Sequence, residues 1–249
     1  MSDAYERYLV PAFFRPFALD MARRVAAMAP EDVLELAAGT GVVTRELTAL
    51  HVVATDFNPG MVEVGARLAP GATWRQADAM SLPFDDDSFD AVVCQFGVMF
   101  FPDRRAAGRE VRRVLRPGGR YLLSTWGRID EHGFGAPLVE ALDELLPDGA
   151  PPFLTAIPHG YHDLEQIEAD VRAAGFDDVT VETVTLPGTS TAAAMARGFC
   201  LGTPLRPGLE AAGDLEATVE AVAAAMARRL GDGEVTVPST AHVITAVTD

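Results

Sequence analysis

Two hydrophobic rhythms alternate along the first half of the chain. One is a short run of consecutive apolar residues, as in Val33-Leu34-Glu35-Leu36, Val52-Val53-Ala54, Ala91-Val92-Val93-Cys94 and Tyr121-Leu122-Leu123. The other is a spacing of three or four, as in Val43, Leu47 and Leu50, then Met61, Val64 (or Gly65) and Leu68, then Ala107, Val111, Val114 and Leu115. The runs read as strands buried on both faces and the spaced segments as helices. Strands are expected at about 32–37, 51–55, 72–76, 89–96 and 120–126, with helices at about 40–50, from Pro59 onward, and at about 103–115. Asn58-Pro59 fits a helix start, and Arg116-Pro117-Gly118-Gly119 a helix stop. Strands alternating with helices imply βαβ crossovers and a parallel sheet.

After Trp126 the rhythm changes. Residues 127–162 are rich in Gly, Pro and His, with one helical stretch near 136–146. They read as an insertion beyond a strand's carboxyl end, where ligands sit in open α/β sheets. A helix follows at about 164–174, opened by Asp163 with Gln166 three places on and stopped at Gly175. Val179, Val181 and Thr183 alternate as a sixth strand. Helical patterns occupy 190–201 and 213–230, and a last strand spans about 234–247, with Pro238 marking an edge or a strand start. Before all of this, residues 4–28 mix aromatic and charged positions, and Pro11 and Pro16 are expected to break them into two or three short helices. They read as a packing element or as a lid whose aromatics close over a ligand. The simplest account is one domain over 1–249: an N-terminal helical lid (1–28), a cofactor-binding core (30–126), a substrate-side insertion (127–162), and C-terminal helices with the last two strands (163–249).

Composition narrows the chemistry. A chain of 249 residues can bury a full core without disulfide or metal help. Its two cysteines, Cys94 and Cys200, are neither a disulfide framework nor a zinc pattern, so a reduced, cytoplasmic protein is expected and no metal site is assigned. The start lacks the marks of a signal peptide, and no uncharged apolar run reaches the roughly 18 residues of a membrane span. The net charge of −16 argues against a nucleic-acid partner. Every one of the 20 basic residues is arginine. That excludes a Walker phosphate loop and any Schiff-base enzyme using its own lysine.

The candidate chemistry lies where the first strand ends, at Glu35-Leu36-Ala37-Ala38-Gly39-Thr40-Gly41. Gly39 and Gly41 allow close backbone approach to a ligand. Asp56 ends the next strand, 19 residues after Ala37, where an acid can accept hydrogen bonds from both hydroxyls of a ribose. A dinucleotide fingerprint needs a third glycine, but Thr44 stands there when the count starts at Gly39. Glu35 beside the turn would repel a pyrophosphate and attract a cation. A nucleoside with a sulfonium and an ammonium, S-adenosylmethionine, suits this charge pattern.

At this point the sequence resembles the class I S-adenosylmethionine-dependent methyltransferases, in particular the small-molecule group related to ubiquinone- and menaquinone-biosynthesis enzymes. The resemblance rests on Val33–Gly41, on Asp56-Phe57-Asn58-Pro59-Gly60-Met61, on Asp78-Ala79, on Phe89–Phe101 and on Arg113–Gly119, in that order. It covers about 30–126. It implies a Rossmann-like α/β fold with a seven-stranded, mostly parallel sheet in the order 3-2-1-4-5-7-6, strand 7 antiparallel, and helices on both faces. It also implies that Glu35 and the Ala37, Gly39, Thr40 and Gly41 backbone face the methionine part of the cofactor. Asp56 would bind the ribose, Phe57 and Met61 flank the adenine, and Asp78-Ala79-Met80 read its amino group. Gln95 and Phe96 would end strand 4 beside the methyl group. The chain departs from the family at Ala37, where glycine is common; the added methyl is tolerable if φ is negative there.

Methyl transfer is an in-line displacement whose main requirement is positioning, a source of about 7–11 kcal/mol. A base is needed only for a protonated acceptor. The candidates are His132, His159 and His162, and Tyr161 could line the acceptor pocket; each also reads as an ordinary loop residue. The expected activity is transfer of a methyl group to a small, partly apolar metabolite, secondary-metabolic or quinone-like. Two alternatives stay open: a protein of this fold that binds the cofactor without transferring methyl, and an NAD(P)-dependent oxidoreductase. The helices near 190–230 are interface material for a homodimer.

Overall fold

The apolar runs become a seven-stranded sheet in a computed structural model that describes residues 2–249. The strands are β1 (Asp32–Glu35), β2 (His51–Asp56), β3 (Thr73–Gln76), β4 (Phe89–Gln95), β5 (Leu115–Trp126), β6 (Asp178–Thr191) and β7 (Glu234–Val247). Their order is β3-β2-β1-β4-β5-β7-β6. The pairs from β3 through β5 are parallel, and β7 runs antiparallel to β5 from Arg120↔Val247 to Trp126↔Ala241. Val33, Leu34, Ala91, Val92 and Val93 have no exposed surface, as expected of central parallel strands covered on both faces. This is the Rossmann-like α/β architecture expected.

The helices are α1 (Ser2–Ala4), α2 (Arg15–Ala27), α3 (Pro59–Leu68), α4 (Arg104–Val114), α5 (Gly135–Leu145), α6 (Phe153–Ala156), α7 (Leu164–Ala173), α8 (Ala192–Gly202), α9 (Arg206–Ala212) and α10 (Leu215–Leu230). Between α1 and α2, Tyr5–Phe14 is a π-helix. The chain divides into two units. Among the described residues, one comprises 17–126, 161–184 and 241–249; the other comprises 2–16, 127–160 and 185–240.

Three local expectations are corrected. The prolines do not break the N-terminal segment, because Tyr5–Phe14 changes its hydrogen-bond register. Arg15 N–H donates to Val10 O, five residues back, and this wider register carries the helix past Pro11. Pro16 sits in the first turn of α2, where its missing N–H matters least. The helix expected at 40–50 shrinks to a 3₁₀ turn, Thr44–Glu46. Of its apolar face only Val43 is fully buried, while Leu50 is 72% exposed, so nothing holds a longer helix against the sheet. Leu68 at the end of α3 is likewise 41% exposed. The buried residue there is Gly65, because the Trp74 indole lies across it, with its ring 2.1 Å from where a Cβ would stand.

In the first unit, Asp103 caps α4 through Ala106 N–H, and Asp163 caps α7 through Glu165 and Gln166 N–H. In the second, α8 and α10 pack together, and Met195, Ala196, Val222, Ala225 and Met226 are fully buried. Arg228 and Arg229 of α10 pair with Glu140 and Glu144 of α5. These exposed pairs contribute little stability, because water and salt screen them.

Candidate functional site

The carboxyl ends of β1, β2 and β4 converge on the glycine turn. Leu36 N–H donates to Val93 O and Ala38 N–H to Thr55 O, which pins the turn between its neighbouring strands. Gly39 has φ +57° and Gly41 +85°. A side chain at Gly39 would point into open space. That openness leaves the backbone there accessible to a ligand.

Asp56 ties this turn to the next helix. Its Oδ2 accepts from Gly39 N–H at 2.8 Å and its Oδ1 from Asn58 N–H at 2.8 Å. A carboxylate has about four acceptor positions, so two remain for ribose hydroxyls. Burial raises the Asp56 pKa despite the two backbone donors that favour the charged form.

Glu35 is the second acid. It is 2% exposed, and its Oε2 accepts from the Thr44 hydroxyl at 2.6 Å. Burial pushes its pKa up to about 8, against the lowering effect of that hydrogen bond. Glu35 is thus protonated at neutral pH until a cation approaches, and an ammonium or sulfonium would draw the proton off. Thr44, noted in the sequence for not being glycine, supplies the hydroxyl that holds Glu35. Its signal was its place on the turn of the same strand–loop unit.

Beyond β3, Asp78 Oδ1 accepts from Met80 N–H at 2.9 Å, an Asx turn that shapes Asp78-Ala79-Met80. Gln76 Nε2 donates to Phe57 O and fixes that loop, while the Phe57 ring is 71% exposed. Met61 is half-buried on α3.

At the end of β4, Phe96 has φ +53°, rare for a bulky residue. Its N–H donates to Ser124 O. Its ring stacks on Trp126 at 3.6 Å with 6° between planes, and Phe17 meets both rings edge-on. Ala37 also has positive φ, +50°, so the condition stated for its tolerance is not met. Gly97 accounts for the methyl. A Cβ on residue 97 would stand 2.5 Å from Ala37 Cβ, so the missing side chain at 97 makes the room Ala37 uses. The role of Gly97 carried no sequence signal beyond its being a glycine after a strand.

The cofactor candidates Glu35, Ala37, Gly39, Thr40, Gly41, Asp56, Phe57, Met61, Asp78, Ala79, Met80, Gln95 and Phe96 therefore all lie in one unit, at or just beyond the carboxyl ends of β1 to β4. The histidine and tyrosine candidates are placed differently. Tyr161 is 2% exposed, donates its hydroxyl to Asp170 at 3.1 Å and lies under the Arg104 guanidinium, 4.1 Å from the ring centre. Burial raises its pKa further. His162 is half-buried. His159, in the other unit, is 4% exposed, with Nδ1 2.8 Å from Gly127 O. A carbonyl only accepts, so Nδ1 carries the proton and the neutral ring has its basic nitrogen at Nε2. His132 lies beside it and has the opposite tautomer. Its Nδ1 accepts from Phe134 and Gly135 N–H at the start of α5, and burial lowers its pKa to about 3, with the charge on His159 a smaller cause.

The comparisons with known proteins agree with this geometry. The methyltransferase domain family matches residues 34–123. A demethylmenaquinone methyltransferase from Clavibacter sepedonicus is 38% identical over 171 residues, 63% of this chain and 70% of that protein. One from Corynebacterium urealyticum is 36% identical over 177 residues, 66% of this chain and 75% of that protein. The chain belongs to the class I S-adenosylmethionine-dependent methyltransferases. Among solved structures, the YcgJ protein of Bacillus subtilis superposes on this methyltransferase with a TM-score of 0.60 at 23% identity, covering 93% of this chain and 98% of that one. A phosphoethanolamine N-methyltransferase of Haemonchus contortus, solved with S-adenosylhomocysteine, gives 0.63 at 20% identity, covering 99% and 56%. These two likenesses concern the fold.

The cofactor of this methyltransferase is S-adenosylmethionine, and the donor set suits it. Two buried or half-buried acids, Glu35 and Asp56, stand beside the glycine turn, and the cofactor carries two positive groups and no phosphate. The absence of any atom where a Gly39 side chain would stand leaves space on that face of the turn. The same set is poor for a dinucleotide, because Glu35 would face the pyrophosphate.

Proposed function

We propose that this methyltransferase methylates a small, partly apolar, quinone-like acceptor. The observation that carries the reading is the stack of Phe96 on Trp126, closed edge-on by Phe17, at the carboxyl ends of β4 and β5. All three side chains are buried, so the stack gives these strand ends an apolar, aromatic lining, which suits a planar, apolar ring. The demethylmenaquinone methyltransferases among its relatives support the same class.

S-adenosylmethionine, when bound, supplies a methyl group activated by its sulfonium. The residues of this chain position it. Asp56 accepts from the ribose hydroxyls, and Glu35, ionised by the incoming charge, pairs with the methionine ammonium over the Ala37–Gly41 backbone. Asp78, Ala79 and Met80 read the adenine edge, with Phe57 and Met61 on its faces. Gln95 and Phe96 border the methyl group. Where the acceptor must lose a proton, His159 and His162 are the base candidates, His159 through Nε2. Tyr161, committed to Asp170 and Arg104, is assigned to packing instead of to proton transfer.

The reading includes a helical lid over 1–28, a single functional domain over 1–249, a cytoplasmic setting and a homodimer through the helices near 190–230. Among the described residues, no helix is long and apolar enough to cross a membrane. The net charge of −16 disfavours a nucleic-acid partner.

The test is product analysis. The protein is incubated with methyl-labelled S-adenosylmethionine and demethylmenaquinol under reducing conditions. Labelled quinol and an equal amount of S-adenosylhomocysteine are expected. Cofactor binding without S-adenosylhomocysteine release would remove the acceptor reading.

A further inference from the structure

Two positive-φ residues that are not glycine flank the cofactor ends of β1 and β4: Ala37 at +50° and Phe96 at +53°. Each costs conformational energy, and such strain persists only where the surroundings enforce it. For Ala37 the simplest relief would be glycine, which takes this conformation freely. Here the Ala37 methyl group stands where a side chain on residue 97 would otherwise lie. A Cβ there would be 2.5 Å from Ala37 Cβ and 2.9 Å from Cys94 Sγ, so the space over residue 97 is filled from both sides.

Cys94 has its own role in this turn. Its buried Sγ accepts hydrogen bonds from Gly97 and Val98 N–H, and burial pushes its pKa up to about 12, so it stays a neutral thiol. The turn Cys94–Val98 is thus held from below by sulfur and from the β1 side by the Ala37 methyl. Phe96 is the residue this turn presents, and its N–H is bonded to Ser124 O with its ring stacked on Trp126.

We infer that Ala37 is a positioning residue: its methyl, seated against Gly97, makes the cofactor turn after β1 and the Phe96 turn after β4 respond as one body. Ligand on the Gly39–Gly41 backbone then also orders the aromatic wall. The fit is between a methyl and a residue without a side chain, so it transmits displacement by exclusion and needs no charge. This rests on the cofactor assignment at the β1 turn and is independent of the acceptor.

The test compares A37G with A37S, using S-adenosylhomocysteine as probe. Glycine relieves the strained φ but removes the methyl; serine keeps the Cβ. Three readouts are taken: thermal midpoint without ligand, Kd by calorimetry, and amide hydrogen exchange at saturating probe. A37G is expected to raise the midpoint by about 2–4 °C, in line with relief of roughly one left-handed residue. The Kd of each variant sets the probe concentration that saturates it. In wild type the probe should slow exchange over both 36–43 and 95–101. In A37G the slowing over 36–43 should remain, while at least half of that over 95–101 is lost. A37S should keep both. Undiminished slowing over 95–101 in A37G overturns the inference, as does its loss in A37S. A lowered midpoint in A37G would make Ala37 a space-filling residue only and overturn it as well. Failure of wild type to bind the probe would instead remove the cofactor assignment.

Discussion

Glu35 and His132 are equally hidden, each 2% exposed, yet burial moves them toward opposite ends of usefulness. Glu35 sits at the open end of β1 with one hydroxyl donor, and burial lifts its pKa to about 8. It is neutral without ligand and becomes charged when a cation arrives. His132 sits among Phe13, Phe199 and His159 and accepts from two backbone N–H groups at the start of α5. Its pKa falls to about 3, so it stays neutral at any physiological pH. In the proposed function a ligand supplies the charge that the first group lacks. The surroundings of His132 satisfy the ring internally and use it as a helix cap. A buried titratable group becomes a binding group when its partner must come from outside.

The sharpest way to break the comparison is at Asp56, the other acid of the ligand end. D56A removes both ribose acceptors, and charge-assisted hydrogen bonds are worth about 1.5–3 kcal/mol each. Affinity for S-adenosylhomocysteine by calorimetry should fall by about 100-fold or more, with the circular dichroism of the fold retained. Unchanged affinity would remove the ribose assignment.

His132 should show itself in stability instead of binding. Its folded pKa lies below the unfolded value near 6.5, so its contribution is complete above pH 6.5. As pH falls from 6.5 toward 3, the unfolded chain takes up a proton that the folded one refuses, and stability drops by at most about 1.4 kcal/mol per pH unit. H132N, which keeps an acceptor for the α5 N–H groups without the titration, should flatten that part of a urea-melt series against pH. A slope that persists in H132N would place the acid sensitivity elsewhere.

The smallest expected effect is at Thr44. T44V removes the hydroxyl donor to Glu35, which should weaken cofactor binding by about tenfold, the low end for one hydrogen bond to a charged group. The loss should grow as pH is lowered, because Glu35 would be harder still to ionise. Equal affinity at all pH values would show that the hydroxyl does not serve the carboxylate.

The two regions differed as much in how far the sequence revealed them. Strands β1, β2, β4 and β5 were readable because fully buried parallel strands need consecutive apolar residues, as Val33-Leu34 and Ala91-Val92-Val93 supply. Asp56 and Glu35 were readable because an acid at a strand end next to glycines has few other uses. Periodicity misled where tertiary burial failed to follow it, as at Leu50. It also could not anticipate a register change that carries a helix past Pro11. The short helices α6 and α9 lack the length to show a period. The cap made by His132, the tautomer of His159 and the fit of Ala37 over Gly97 depend on residues brought together by folding, and spacing along the chain carries no trace of them.

The account's central claim is that a buried, protonated Glu35 becomes the counter-charge of the cofactor. Calorimetric titration of S-adenosylmethionine at pH 7, repeated in buffers of different ionisation enthalpy, counts the protons exchanged on binding. Close to one proton should be released per cofactor bound by the wild-type protein, and that release should vanish in E35Q. Tight binding with no proton release, or the same release from E35Q, would contradict it.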